Sequence, residues 1–344
     1  MNIMKTKRMF NLLGALMIII SLSITSCDKD NDDDNNNSNT SPTASFKVSP
    51  SSGTISTNFN FDASASSDKE DPVSSLQVRW DWENDGSWDV SYTTTKTASH
   101  QYSSEGAYTV KMEVKDNEGL TNTTTRTVAI EAATGTFTDT RDSKTYNWVR
   151  IGNQKWMSEN LAYLPAVSPS AKESTTSAYY YVYDYEGTSV SAAKATSNYQ
   201  TYGVLYNWHA AMNGAGSSSA NPSGVQGVCP AGWHLPSDAE WTELADYLGG
   251  ESVAGGKMKE TGTSHWYSPN TGATNSSGFT ALPGGARIGS GFVSVGLYGC
   301  WWSSTERYSS ALNSWHWNLR YNGSYGQQSP NLKRGGLSVR CIGD

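Results

Sequence analysis

Alternating side chains near the C-terminus of this 344-residue chain could bind a ligand. The residues Trp315, Trp317, Leu319 and Tyr321 alternate with His316, Asn318, Arg320 and Asn322. Successive side chains of a β-strand point to opposite faces. The alternation therefore predicts a strand with an aromatic face in the core and a polar face in solvent. Asn322-Gly323 predicts a type I′ turn after this strand.

The polar face and its neighbouring loops are predicted to contact the ligand. Tyr, Ser and Asn are favoured in binding loops, because they give contact area and adaptable hydrogen bonds at low entropic cost. The candidate ligand-binding residues are Arg307, Tyr308, Asn313, His316, Asn318, Arg320, Tyr325 and Gln327. Much of the aromatic content is assigned to the core instead, namely Trp301, Trp302, Trp315 and Trp317. The alternative for the Asn and Ser residues is that they only keep the surface soluble.

A second group of side chains has the spacing of metal ligands. Asp81, Glu83, Asp85 and Asp89 alternate along the chain with Gly86 between them, as oxygen ligands do in a calcium loop. An EF-hand loop would end on Glu where Tyr92 stands and would need flanking helices. Two interpretations therefore stay open, a calcium site and a solvated acidic turn. No other cofactor is predicted.

No arrangement typical of catalysis occurs in the sequence. The five histidines are scattered, without an HExxH motif, a close His pair or paired Cys ligands. The GxSxG motif of a nucleophile elbow is absent. Gly284-Gly285 and Gly335-Gly336 lack the strand-to-helix context of a phosphate loop. We therefore predict that the protein is not an enzyme.

The N-terminus has the features of an export signal. Basic residues precede an apolar run from Leu12 to Leu22, and small residues then lead to Cys27. The block resembles a bacterial lipobox, which implies a lipoprotein signal peptide over residues 1–26 and a lipid on the Cys27 thiol. The alternatives are an ordinary cleaved signal with a chance cysteine and an uncleaved anchor.

Residues 27–41 are predicted to form a disordered acidic tether. This segment is rich in Asp and Asn and nearly free of apolar residues, so it cannot bury enough surface to offset the entropy of ordering. Its acidic start, residues 28–33, resembles the surface-export signal of Bacteroidota lipoproteins. That resemblance implies a lipid-anchored protein on the outer face of the outer membrane. No block of basic residues occurs and the net charge is −7, so nucleic acid is not an expected partner.

Residues 42–132 are predicted to form a β-sandwich. Short alternating segments separated by turns recur without a helical period, as in "YTVKMEVKD". The stretches "FDASASSDKEDP", "VRWDWENDGSWD" and "HQYSSEGAYTVKMEVKDNEGLTNTTTRTVAI" resemble a PKD domain, an immunoglobulin-like sandwich. The resemblance implies a spacer or a weak binding module without catalysis.

Residues 135–344 differ in composition, with more Trp, Tyr, Gly and Asn. Ser237 and Glu240 form a capping-box pattern, and the apolar residues that follow predict a helix ending at Gly249-Gly250. A shorter helix is predicted between Val204 and Met212. In order along this segment, "IGNQKWMSENL", "LYNWHAAM", "VCPAGWHLPSDAEWTEL", "GGKMKETGTSHW", "WWSSTE" and "GLSVRCI" resemble the Fibrobacter succinogenes major paralogous domain.

This second resemblance implies a C-type-lectin-like fold without established enzymatic activity. The expected fold class is an immunoglobulin-like all-β sandwich followed by an α+β C-type-lectin-like domain. The resemblance further implies a ligand surface near the C-terminus, in some related proteins diversified by a retroelement. It also implies a disulfide between Cys229 and Cys341, a free Cys300 and a structural role for His234.

The expected function is a non-catalytic surface lipoprotein in adhesion. It would bind a glycan or a surface protein through the C-terminal domain, with the PKD domain as a spacer. The alternative is a structural subunit of a fimbria-like surface assembly.

Overall fold

The computed structural model describes residues 38–344. The predicted signal peptide, Cys27 and most of the acidic tether lie outside the described residues. Across residues 38–344, no helix combines the length and the apolar character that crossing a bilayer requires.

The N-terminal domain is an all-β sandwich. Its strands are β1 Lys47–Ser49, β2 Ser52–Gly53, β3 Phe59–Asp62, β4 Gln77–Asp81, β5 Val90–Thr93, β6 Thr97–His100, β7 Gly106–Lys115 and β8 Thr121–Ile130. They form a three-stranded sheet in the order β1-β3-β6 and a five-stranded sheet in the order β2-β8-β7-β4-β5. The predicted alternation is confirmed on β7, where Val110, Met112 and Val114 are buried against Trp80 and Phe61.

The C-terminal domain combines small antiparallel sheets with short helices. Its strands are β9 Thr134–Asp139, β10 Lys144–Ile151, β11 Gln154–Met157, β12 Tyr180–Tyr181, β13 Leu205–Tyr206, β14 Trp233–His234, β15 Gly284–Ile288, β16 Gly291–Val295, β17 Tyr298–Glu306, β18 Asn313–Arg320, β19 Gly326–Leu332 and β20 Ile342–Gly343. Its helices are α1 Val190–Lys194, α2 Ser197–Tyr202, α3 Trp208–Met212, α4 Asp238–Tyr247 and α5 Glu251–Met258. The main sheets have the orders β14-β20-β11-β10-β9 and β17-β18-β19, and β15 pairs with β16.

Helix α4 confirms the capping-box prediction. The Ser237 hydroxyl accepts from the backbone N–H of Glu240, and the Glu240 carboxylate accepts from the backbone N–H of Ser237 at 2.8 Å. Trp241, Leu244 and Ala245 form the buried face of the helix. The capping box and the apolar residues at helical spacing thus both favour helix formation in this segment.

The helix predicted between Val204 and Met212 is wrong in its first half. Leu205 and Tyr206 instead form β13, which pairs with β12. The helix α3 starts only after Asn207, whose side chain accepts from the backbone N–H of Ala210. A short apolar run does not distinguish a buried strand from a helix by periodicity, and here the pairing partner decides.

Helix α5 was not predicted, because glycine is unfavourable inside helices. Its two central glycines have a packing role. A Cβ atom on Gly255 would lie 2.3 Å from the carbonyl oxygen of Tyr325, and one on Gly256 would lie 2.4 Å from that of Gly272. Gly255 therefore lets α5 approach the loop that connects β18 to β19, and Gly256 lets it approach the segment between α5 and β15.

A disulfide joins Cys229 to Cys341, with a Cα–Cα distance of 5.9 Å. Cys229 precedes β14, and Cys341 precedes β20, the strand that lies between β14 and β11. The bridge therefore ties the closing strand to the body of the domain, as the family resemblance implied. Cys300 is a buried free thiol.

Replacing both Cys229 and Cys341 with Ser should lower the free energy of unfolding by about 4–5 kcal/mol, the chain-entropy estimate for so long a loop. The cysteines are separated by 112 residues in sequence, so the unfolded chain loses much freedom when they are joined. Urea denaturation measures the difference. Cys300→Ala is the control, because it removes a thiol but no bridge. Three alkylatable thiols in the native protein would contradict the pairing.

Candidate functional site

A cleft of about 380 Å³ opens between the β17-β18-β19 sheet and the β15–β16 hairpin. We call it the β18 cleft, because three alternate residues of β18 line it. Its lining residues are Ala286, Ile288, Val293, Ser294, Tyr298, Cys300, His316, Asn318, Arg320, Ser329, Pro330 and Asn331. The cleft therefore contains three of the eight ligand-binding residues predicted from the sequence.

The opposite face of β18 fixes which side chains enter the cleft. Trp317 and Leu319 are buried on that face, and the Trp317 ring stacks on Trp241 with 6.0 Å between centroids and 3° between planes. Because side chains alternate along a strand, burial of Trp317 directs His316 and Asn318 to the other side. The helix α4 thus positions the cleft residues through its own apolar face.

Four polar atoms of β18 are buried without a hydrogen-bond partner among the described residues, and one of them, Trp317 Nε1, lies on the core face. The three on the cleft face are Nδ1 of His316, Oδ1 of Asn318 and Nε of Arg320. Other such atoms are scattered through residues 38–344, whereas these three belong to alternate residues of one strand that line one cleft. A buried polar atom without a partner costs about 1–3 kcal/mol, so these three atoms make the β18 cleft the candidate site.

The orientation of the Asn318 amide follows from its neighbours. Its Nδ2 atom donates to the carbonyl oxygen of Gln327 at 3.0 Å and to the Ser329 hydroxyl at 2.9 Å. Both amide hydrogens therefore have acceptors, and Oδ1 is left as a free acceptor. The cleft consequently offers a fixed acceptor at Asn318 beside a fixed donor at Arg320.

The β18 cleft carries positive charge. The Arg320 guanidinium lies over the rings of Tyr298 and Tyr325, at 5.3 and 5.7 Å from their centroids. Burial lowers the pKa of His316 to about 4, so its ring is neutral at pH 7. Burial raises the pKa of the Cys300 thiol to about 12, which keeps that thiol protonated and a poor nucleophile. No aspartate or glutamate is among the residues that line the cleft.

The prediction that the polar face of β18 lies in solvent is wrong for two of its residues. His316 is 8% exposed and Asn318 is 3% exposed. The reason is the β15–β16 hairpin, which packs beside β17 and covers this face.

The prediction that Trp315 belongs to the core is also wrong in part. Trp315 is only half-buried, and the Arg307 guanidinium lies 5.6 Å from its ring centroid.

The remaining predicted ligand residues divide into two groups. Tyr325 contacts Arg320 at the cleft, and Gln327 pairs with Asn318 across β18 and β19. Arg307, Tyr308 and Asn313 do not line the cleft. Asn322-Gly323 lies in a five-residue connection from 321 to 325, and neither residue has the positive φ of a type I′ turn.

Sequence reasoning missed the wall opposite β18. Ala286, Ile288, Val293 and Ser294 belong to the β15–β16 hairpin, which was not predicted. A signal was present, since Gly289-Ser290-Gly291 separates two apolar segments in the manner of a tight hairpin. Cys300 and Ser329 were missed because they belong to neighbouring strands whose pairing with β18 is set by the fold.

A larger cavity of about 680 Å³ surrounds Tyr247, with Glu243 and Asp246 among its lining residues. None of the residues that line it, all within 38–344, has a buried polar atom without a partner. Its volume alone does not indicate recognition, so we place the candidate site at the β18 cleft.

The acidic loop of the N-terminal domain brings three of its four predicted ligands together. One carboxylate oxygen from each of Asp81, Glu83 and Asp89 lies within 4.8 Å of the others. Asp85 is outside this group, and its carboxylate accepts from the backbone N–H of Ser87. Burial, together with Asp89, Asp85 and Asp81, raises the pKa of Glu83. The Asp81 carboxylate also accepts from two backbone N–H groups of its own loop. Calcium binding here stays a prediction.

His234 lies between two carboxylates. Its Nδ1 is 2.6 Å from Asp344 Oδ1, and its Nε2 is 2.7 Å from Glu240 Oε1. Burial alone would lower the pKa of His234, but the hydrogen bonds to Glu240 and Asp344 outweigh burial and raise it. The His234 ring therefore links the start of α4 to Asp344 through two hydrogen bonds.

The described chain thus consists of a sandwich followed by a mostly β domain with few helices, and the candidate site lies in that second domain. The model of the Fibrobacter succinogenes major domain matches residues 149–343. The chain belongs to this family. A PKD domain model matches residues 39–132, which cover the N-terminal sandwich.

Similarity to individual proteins is confined to parts of the chain. The microbial collagenase of Vibrio alginolyticus is 47% identical over 68 residues, which are 20% of this chain and 8% of the collagenase. The chain thus spans only a small part of that relative's length.

A solved structure from work on the promiscuous specificity of carbohydrate-binding modules of the β-sandwich superfamily is 32% identical. It covers 31% of this chain and 41% of its own, with a TM-score of 0.26. The PKD1 domain of Vibrio anguillarum Epp is 28% identical over 27% of this chain and 98% of its own, with a TM-score of 0.22.

Replacing His234 with Gln should lower stability more in acid than in alkali. The pKa of His234 is raised in the folded state above its ordinary value of 6.5. Its contribution is therefore fully present below pH 6.5 and is lost as the pH rises through the folded-state pKa. The difference in unfolding free energy between wild type and variant should be larger at about pH 5 than at about pH 9. His209→Gln is the control, and a pH-independent difference for His234→Gln would contradict the charged role.

Proposed function

We propose that this protein is a non-catalytic cell-surface lipoprotein that binds an extracellular glycan in the β18 cleft, with the PKD domain as a spacer. The observation that carries this proposal is the row of unpaired polar atoms on His316, Asn318 and Arg320. A binding site typically has apolar walls and a few fixed polar groups that orient the ligand. The β18 cleft matches that description.

A glycan suits both kinds of surface in the cleft. Sugar hydroxyls can donate to the Asn318 acceptor and accept from the Arg320 donor, and neutral His316 can take either role according to its tautomer. The apolar C–H faces of a sugar ring would contact Ile288 and Val293, which are 49% and 38% exposed at the cleft. A flat apolar ligand would leave the three polar atoms unpaired, which argues against it.

The proposal includes a C-type-lectin-like class for the C-terminal domain and a lipid on Cys27 at the outer membrane. The family resemblance and the small sheets with few helices support the fold class. The ordered signal and the acidic segment after Cys27 support the anchor. The PKD sandwich would then hold the binding domain away from the membrane.

One observation favours the alternative, an assembly subunit. In the loop between β17 and β18, Tyr308 is 94% exposed and Leu312 is 57% exposed. Exposed apolar patches can mark surfaces that contact other proteins, and these two side chains would be the centre of such a patch. An assembly subunit would form concentration-dependent oligomers through this loop and would not respond to glycans.

A glycan array with the full-length chain in detergent tests the proposed function. We expect binding to a defined group of glycans. Ile288→Trp should abolish this binding, because it fills the cleft from its exposed edge. Leu120→Trp is the matched control, since Leu120 is 40% exposed in the N-terminal domain and lies outside the cleft. Absence of binding to every glycan on the array, together with concentration-dependent oligomers in solution, would contradict glycan binding and support the assembly subunit.

Replacing Cys27 with Ala should release the protein from membranes, because the lipid attachment point is removed. Fractionation of cells followed by immunoblotting measures the distribution of wild type and variant. Cys300→Ala is the control, because it also removes one thiol. If Cys27→Ala stays in the membrane fraction, the lipid anchor is wrong.

A further inference from the structure

We infer that the ligand of the β18 cleft is an acidic glycan, with a sugar carboxylate bound by Arg320 and neighbouring hydroxyls bound by Asn318 and His316. This inference rests on the proposed function and names the chemical class of its ligand. It is drawn from how the charges of the C-terminal domain are paired.

Arg320 differs from most other arginines of the domain in having no acidic partner. Arg141, Arg150, Arg287 and Arg334 each pair with a carboxylate. Within residues 38–344, Arg320 forms no ion pair and its buried Nε has no hydrogen-bond partner. In a protein with a net charge of −7, an arginine in a cleft without any acidic lining residue is selective for anions.

The surroundings of Arg320 favour a carboxylate. The guanidinium lies over the rings of Tyr298 and Tyr325, and neither ring is a hydrogen-bond acceptor of the kind that a carboxylate is. The planar fork of an arginine matches the two oxygens of a carboxylate and binds them in parallel. His316 does not compete for the anion, because its ring is neutral.

Asn318 and His316 extend the site from a single anion to a sugar. Alternate residues of a strand lie about 6.6–6.8 Å apart, so the three unpaired atoms form a row. A uronic acid residue presents a carboxylate and several hydroxyls over such a distance, within one ring or between neighbouring rings. An acidic peptide also presents a carboxylate and N–H donors for Asn318, but it lacks a ring of hydroxyls that can both donate and accept along the row.

Calorimetric titration of the full-length chain with galacturonic acid oligomers tests the inference. The matched probe is the carboxyl-reduced oligomer, which is the corresponding galactose oligomer. We expect the acidic oligomer to bind and the reduced one to bind at least about tenfold more weakly, as loss of a charge-assisted hydrogen bond implies. Added salt should weaken the acidic oligomer's binding, because the attraction is partly electrostatic.

Arg320→Gln should weaken binding of the acidic oligomer on the order of ten- to a hundredfold. Arg307→Gln is the matched control, since Arg307 also lies over an aromatic ring and has no ion pair in the described chain, but is outside the cleft. Arg320→Lys keeps the positive charge but loses the planar guanidinium fork, so its affinity for the acidic oligomer should lie between those of wild type and Arg320→Gln. This variant also serves as the test if Arg320→Gln does not fold. Circular dichroism establishes folding of each variant.

The outcomes separate the inference from the proposed function. Equal binding of the reduced oligomer, or unchanged affinity in Arg320→Gln, would overturn the acidic class but keep glycan binding. Tighter binding of a sulfated galactose oligomer or of a poly-glutamate peptide would overturn the sugar carboxylate. Absence of binding to every acidic and neutral glycan tested would contradict both.

Discussion

The stacking of Trp317 on Trp241 is the contact on which the candidate site depends. It joins β18 to α4, and it lies within a buried cluster that includes Trp156, Trp266 and Trp301. Because a strand has a period of two, a shift of one residue would place Trp317 in the cleft and His316 in the core. Burial of a large aromatic ring is worth several kcal/mol, so this contact fixes the register against that alternative. The polar row of the cleft is thus a consequence of apolar packing on the other side.

Hydrogen bonds from a buried lysine hold the backbone at the Arg320 end of the row of polar residues. Lys259 is fully buried, and its Nζ donates to the carbonyl oxygens of Thr271, Arg320 and Gly323. Burial lowers the pKa of this ammonium group to about 8. The three carbonyl contacts favour the charged form and offset part of that desolvation. Lys259 therefore holds the backbone of Arg320 and of the following loop, while the Arg320 side chain stays free of any acidic partner.

Local signals in the sequence were sufficient for some elements and not for others. The helix α4 could be predicted because its cap at Ser237 and its apolar period lie within one short segment. The alternation of β18 could likewise be predicted, and with it the set of side chains that shares a face. The burial of the polar face of β18 could not be predicted. It depends on the β15–β16 hairpin, which is formed by a different segment of the sequence. The residue types of the site could therefore be predicted from the sequence. The burial of the site and the identity of its opposite wall depend on tertiary packing and could not.

Burial changes what the site residues can do. In solvent, Asn318 and Arg320 would exchange partners with water, and their contribution to recognition would be small. In the cleft these atoms are shielded from water, so the proposed ligand would recover about 1–3 kcal/mol for each atom it paired with. A whole domain is stable by only about 5–15 kcal/mol, so three such atoms on one strand are a substantial fraction of the total. The same domain is stabilised by a long-range disulfide and a tryptophan-rich core. The cost that makes these unpaired atoms unfavourable for folding would favour the proposed ligand, because a ligand without matching polar groups leaves that cost in place.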